Sequence, residues 1–239
     1  ELKISFLINI VFVVIFLLPA NIFFAKLLGE DVKKNNNQAK KNIFFLWPMI
    51  LFILVFITIT DSFTEGAVDA WAALYMRDVI FVSGFTIGAA TIAFNSFMVF
   101  GRLIGDKIRD TLGTLKFLIT LFIFSFVGLF IVTNFSTLSS SIIGFSVLGL
   151  GISSIVPLAY SIAGKIKEVD SAVGISIISI AAYGVFMIAP ALMGLIANLY
   201  GLSMVFLPMT LLFIICFVPS IPISSLFLFK LSDIPSVNE

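Results

Sequence analysis

The chain has 239 residues, 60% of them apolar, with 28 Phe and only 11% charged. That is more apolar surface than a soluble core of this size buries, so the chain reads as a polytopic membrane protein. A net charge of +1 leaves no footprint for nucleic acid. The absence of His and the lone Cys216 exclude histidine triads, haem ligation by His, the H-E-x-x-H zinc motif and an internal disulfide; no cofactor and no metal are expected.

A bilayer core of roughly 30 Å needs about 20 helical residues. In chain order, apolar runs of that size predict seven membrane helices near 4–25, 43–75, 84–104, 115–134, 139–163, 172–198 and 204–229. The first run lacks the basic flank and small-residue cleavage site of a secretory signal. Because it follows Glu1 rather than an initiator Met, an N-terminally truncated chain is expected.

Lys26–Asn42, centred on Lys33-Lys34-Asn35-Asn36-Asn37, is polar and low in complexity, as a tether between helical bundles should be. The run 43–75 is too long for one straight crossing, and a break is expected near Gly66. Within it, Asp61, Glu65 and Asp69 fall at i, i+4 and i+8, along one helical stripe. Facing lipid, each would cost about 2.5–3.5 kcal/mol near mid-bilayer, so they should face water, a cavity or a partner. Counted from Ile43 at about 1.5 Å per residue, Glu65 lies roughly 33 Å along the axis, near the outer surface. Three readings stand: gate or substrate contact, proton carrier with Glu65 first, or solvated helix end.

Gly84, Gly88, Thr91 and Asn95 form a second stripe, suited to close packing or to cavity lining. Gly101–Asp110 reads as a charged hairpin between two apolar runs. Ser153, Ser154, Pro157 and Tyr160 fall in the run 139–163; Ser176, Ser179, Tyr183 and Pro190 fall in 172–198. Tyr160 and Tyr183 can present hydroxyls to a solute or simply pack, and both prolines are expected to kink their helices. The runs 115–134 and 204–229 carry few polar residues. If 26–42 is cytoplasmic, 12 of the 14 Lys and Arg lie on that side and only Lys3 and Arg77 outside. This puts the N-terminus outside and the C-terminus in the cytoplasm.

Gly101-Arg102-Leu103-Ile104-Gly105-Asp106-Lys107 resembles the G-R-L-x-G-D-K/R loop signature of the major facilitator superfamily. Thr64-Glu65-Gly66-Ala67-Val68-Asp69-Ala70-Trp71-Ala72-Ala73-Leu74-Tyr75 is similar to the E-G-A-x-x-D-W-S-A-x-Y/F segment of bacterial inner-membrane permeases in that superfamily, distantly related to fucose and other sugar permeases. Gly149–Pro157 is similar to their G-x-G-x-x-N-I-V-P run, with Ser154 where Asn is usual, which puts an amide-specific contact there in doubt.

The resemblance implies an all-α membrane protein: helix 6 (1–25) of a missing N-terminal bundle, a cytoplasmic interdomain linker (26–42), the C-terminal six-helix bundle of two inverted three-helix repeats (43–229) and a cytoplasmic tail (230–239). In that arrangement the third helix of each repeat lies outermost, against lipid. The implied activity is secondary active transport, not enzyme catalysis: alternating-access movement of a small solute, sugar-like or otherwise neutral or cationic, with proton symport as one version. Its partners would be the lipid bilayer of a bacterial inner membrane, the solute, protons and the missing bundle. The absence of a cation at mid-bilayer depth argues against an anionic substrate.

By the same resemblance, Gly66, Trp71 and Tyr75 would form an outer gate, with Asp61, Glu65, Asp69, Asn95, Ser154, Tyr160 and Tyr183 around the cavity. Gly101, Arg102, Gly105, Asp106, Lys107 and Arg109 would form a cytoplasmic conformational latch. A seven-helix receptor or sensor, or multidrug-type efflux within the same superfamily, are the competing readings.

Overall fold

The computed structural model describes residues 49–166 and 169–215. The expected span 4–25, the linker 26–42, residues 216–229 of the last span and the tail 230–239 lie outside the described residues. Among the described residues all regular structure is helical, which satisfies backbone N–H and C=O groups within each segment where no water can do so.

Helix α1 runs Met49–Asp78. A 3-10 turn, Gly84–Gly88, leads into α2 (Ala89–Leu112), followed by α3 (Thr114–Asn134), α4 (Leu138–Ile152), α5 (Ile155–Ala163) and α6 (Ser171–Tyr200). A shorter apolar helical segment, α7, covers Leu202–Ile215. Five units are long and apolar enough to cross a membrane: Ile50–Asp78, Gly84–Leu112, Thr114–Asn134, Leu138–Ala163 and Ser171–Tyr200. They overlie five of the predicted runs, and α7 overlies the start of a sixth.

Local chemistry sets the ends. Asp170 caps α6, its carboxylate accepting from the N–H groups of Ala172 and Val173. Thr137 and Ser140 form a reciprocal capping box at the start of α4. The reversal between α2 and α3 occurs at Gly113 (φ +80°), a conformation that side chains rarely adopt, where the Gly113 N–H closes α2 on the Arg109 carbonyl at 2.8 Å.

Several expectations are corrected. Gly101–Asp110 is not a hairpin but the last turns of α2, because the left-handed turn lies further on, at Gly113. Helix α1 is not broken at Gly66. That glycine instead lets α6 approach: a Cβ there would sit 2.8 Å from the Phe186 carbonyl oxygen. Pro190, four residues after Phe186, has no N–H to offer that carbonyl, yet α6 runs through it as one helix.

The run 139–163 does break, but at Ser153–Ser154, ahead of Pro157, because the proline ring displaces the carbonyl four residues earlier. Gly84 and Gly88 belong to the 3-10 turn and do not continue an α-helical stripe with Thr91 and Asn95. The spans containing α2 and α6 are each only 22% buried, against 44% for α3, 61% for α1 and 67% for α4–α5.

A seam of small residues brings α3 against α4. A Cβ on Gly128 would lie 2.5 Å from the Leu148 amide nitrogen of α4, and one on Gly144 would lie 2.7 Å from Val132 of α3. Close backbone approach of this kind is how helices associate where lipid removes the hydrophobic drive. An aromatic cluster joins α1, α4 and α7: Tyr75 stands edge-on to Phe206 (5.3 Å) and Phe145 (6.3 Å), which pack together at 5.3 Å. The Tyr75 hydroxyl donates to the Val132 carbonyl of α3 at 2.9 Å.

Two substitutions separate these terms in thermal unfolding of the detergent-solubilised chain. Tyr75→Phe keeps the ring and loses one hydrogen bond, for an expected loss of about 1 kcal/mol. Gly128→Leu forces α3 off α4 and should lose more, on the order of 1–3 kcal/mol or beyond. Equal melting of the two variants would contradict the close-packed seam.

Candidate functional site

The charges of the described membrane interior converge on α1 and α2. Glu65 lies thirteen residues before the end of α1 at Asp78. Arg102 is ten residues from the end of Gly84–Leu112, roughly 15 Å inward. Its Nη2 approaches Glu65 Oε1 at 3.7 Å.

Arg102, expected in the latch, thus also reaches across to Glu65 on α1. A 3.7 Å separation is an ion pair without a hydrogen bond. Both side chains keep some exposure, 46% for Arg102 and 23% for Glu65, so the pair is weak.

What holds Arg102 is backbone. Its Nε donates to the Ser153 carbonyl at 3.0 Å, and that carbonyl is the one Pro157 leaves without a helical donor. The break between α4 and α5 thus creates an acceptor, and the arginine on α2 satisfies it. Two glycines of the motif make the approach possible. A Cβ on Gly101 would lie 2.5 Å from Ser153 Oγ, and one on Gly105 would lie 2.5 Å from Ser154 Oγ. Sequence reasoning named Ser153 and Pro157 only as a polar residue and a kink. The signal that would have joined them to Arg102 is the orphan carbonyl four residues before a proline.

Asp61, one turn from Glu65, is 1% exposed and its Oδ1 has no hydrogen-bond partner. It interacts electrostatically with Glu65 and Arg102. The third carboxylate, Asp69, is exposed and accepts from Asn95 Nδ2 at 3.1 Å, tying α1 to α2. The outer-gate trio divides. Gly66 and Trp71 both face α6, with Trp71 Nε1 donating to the Pro190 carbonyl at 3.1 Å. Tyr75 is buried in the aromatic cluster.

Ser154 is buried beside the helix break. Tyr160 is half-buried against the core. Tyr183 is 69% exposed on α6 and is not brought to the charged group. At the end of α2, Arg109 pairs with Asp106 at 3.2 Å and Asp110 at 3.3 Å, and Lys107 is exposed. Between α2, α3 and α5 lies a cavity of about 360 Å³ lined by Arg102, Asp106, Arg109, Phe117, Ser154, Pro157, Leu158 and Ser161. Among the described residues no cluster of His, Cys, Asp and Glu could hold a metal ion.

No protein-family model matches the chain. It is 28% identical over 188 residues to membrane protein MosC of Rhizobium meliloti (78% of this chain, 45% of that protein). It is 27% identical over 200 residues to an uncharacterised MFS-type transporter of Yersinia pestis (83% and 50%). The fold matches a crystal structure of a peptide transporter POT mutant in complex with alafosfalin, with TM-score 0.68 at 18% identity over 76% of this chain and 39% of that one. It also matches the POT family transporter PepTSo, with TM-score 0.67 at 16% identity (75% and 38%).

The chain is similar in sequence to proteins described as transporters, one of them of MFS type, and it shares the fold of the solved transporters. As the apolar helices and these relatives together show, it is an integral membrane protein, and its relatives are transporters rather than enzymes. The chain spans about half the length of the curated relatives it matches.

A double-mutant cycle on Glu65→Gln and Arg102→Gln, read by unfolding free energy at moderate salt, should give a coupling below about 1 kcal/mol. Arg102→Gln alone should lose more, because the Ser153 carbonyl loses its charged donor, on the order of 1.5–3 kcal/mol. A coupling larger than the single Arg102 effect would show that Glu65, not Ser153, anchors the arginine.

Proposed function

We propose that this chain carries the C-terminal six-helix bundle of a secondary transporter that moves a small hydrophilic solute across a bacterial inner membrane by alternating access. One observation carries the reading: a partly exposed Glu65–Arg102 pair between two apolar helices, beside a buried Asp61. Intramembrane charge of this kind is expensive to insert and marks solute or ion pathways. In this reading 1–25 is the sixth helix, 26–42 a cytoplasmic linker, 43–229 two inverted three-helix repeats and 230–239 a cytoplasmic tail, with the N-terminus outside. The poorly covered faces of α2 and α6 would meet a second helical bundle.

Proton coupling is placed on Asp61 rather than on Glu65. The acidic and basic groups near it are Glu65 and Asp69 on α1 and Arg102 on α2; the segments Leu138–Ala163 and Ser171–Tyr200 contain none. Three carboxylates share one arginine, and Glu65 stands closest to it. Asp61, without a hydrogen-bonding partner at Oδ1, is the carboxyl free to take and release a proton. A sugar-sized solute is supported by the hydroxyls of Ser154 and Ser161 and by a cavity within the range of about 300–1,000 Å³ usual for small-molecule pockets. The rim network of Asp106, Lys107 and Arg109 would bias the conformational change.

In proteoliposomes, Asp61→Asn should keep solute exchange while losing accumulation driven by a pH gradient; wild-type accumulation in that variant would remove Asp61 from coupling. Asp106→Asn should slow uptake severalfold without changing membrane insertion, and an unaltered rate would discount the latch.

A further inference from the structure

Arg102 is anchored through one corner of its guanidinium. Nε is bonded to the Ser153 carbonyl at 3.0 Å, and Nη2 touches Met98 Sδ at 3.4 Å and stands 3.7 Å from Glu65. Nη1 makes no hydrogen bond among the described residues. The same side chain lines the cavity between α2, α3 and α5, where the other charged groups are Arg109 and Asp106. Arg109 is already held by two exposed carboxylates at the rim. Deeper in, the walls offer donors: the hydroxyls of Ser154 and Ser161 and the outer nitrogens of Arg102, against the apolar surfaces of Phe117, Pro157 and Leu158.

A fixed guanidinium with its outer edge open matches two oxygens of a carboxylate or phosphate, geometry that an ammonium or a hydroxyl does not reproduce. The surrounding packing keeps that edge in place. Gly101 and Gly105 let α2 lie close against the α4–α5 break, next to Ser153 and Ser154.

We propose that this cavity is an anion subsite: Arg102 receives the carboxylate or phosphate of a small hydroxylated solute, with Ser154 and Ser161 donating beside it. The assignment rests on the transport reading above and narrows its solute from neutral or cationic to one bearing a single acidic group. Glu65 and the solute's anion are alternatives for one guanidinium. Binding therefore releases Glu65, which links solute recognition to the carboxylate stripe on α1.

The test is equilibrium binding by intrinsic tryptophan fluorescence and thermal shift, with the full 239-residue chain in phosphatidylcholine nanodiscs and with D-gluconate, inorganic phosphate and D-glucose as probes. Gluconate or phosphate should bind saturably and glucose should not. Arg102→Gln should weaken that binding at least about tenfold, the loss of one charge-assisted pair, and Arg102→Lys should restore it only in part. Glu65→Gln, which leaves Arg102 and its anchor intact, should tighten binding by removing the competitor. That gain keeps the proposal testable if the Arg102 variants fold poorly.

A parallel arm uses nanodiscs containing phosphatidylglycerol. Stabilisation that requires this lipid and Arg102, with no soluble anion bound, would assign the subsite to a lipid headgroup and overturn the solute assignment. Anion binding unchanged in Arg102→Gln, or no saturable anion binding at all, would overturn the subsite itself. Glucose binding indifferent to Arg102 would overturn the anionic class while leaving the transport reading intact, since that reading is decided by proton-driven accumulation.

Discussion

A carbonyl without its helical partner organises the interior of this molecule. Pro157 cannot donate to Ser153, and inside a bilayer no water stands ready to replace the missing N–H, so a donor must come from another helix. Arg102 provides it from α2 at 3.0 Å. One bond thereby places a positive charge within the apolar helices and docks α2 on the α4–α5 break. The arginine's remaining donors then stand between Glu65 and the cavity that its side chain also lines.

Small residues make that bond reachable. Gly101 and Gly105 sit directly against Ser153 and Ser154, where any side chain would hold the helices apart. The same device recurs where Gly66 meets the Phe186 carbonyl, a second acceptor left over by a proline four residues on. Both prolines thus expose a backbone oxygen at a helix crossing, but the two are used differently. At α4–α5 the helix breaks and a charged donor is recruited. At α6 the helix stays whole, and the next acceptor along, Pro190 itself, takes the Trp71 indole N–H.

The charge ledger of the span follows from this placement. Asp61, Glu65 and Asp69 share a stripe but not an environment: one buried without a partner at Oδ1, one beside Arg102, one exposed and bonded to Asn95. Three carboxylates of the same sequence spacing therefore meet three different surroundings, set by burial and by what α2 presents to each. The thinly covered faces of α2 and α6 complete the picture, since these are the helices whose outer surfaces have least of this chain to pack on.

Much of the architecture was legible from residue order. Runs of about 20 apolar residues demand helices in a bilayer, and five such spans stand where hydropathy put them. The three-carboxylate stripe and the close approach at Gly101 and Gly105 also followed from helical spacing and from glycine's missing side chain. Tertiary structure decided which residue meets which. Whether the charged motif turned or continued as helix depended on Gly113 adopting a left-handed conformation. Which group Arg102 bonds depended on which neighbour held an unmet carbonyl. Hydropathy is additive along the chain and can be read locally, whereas the partner of a buried polar group lies on another helix and is chosen only when the helices pack.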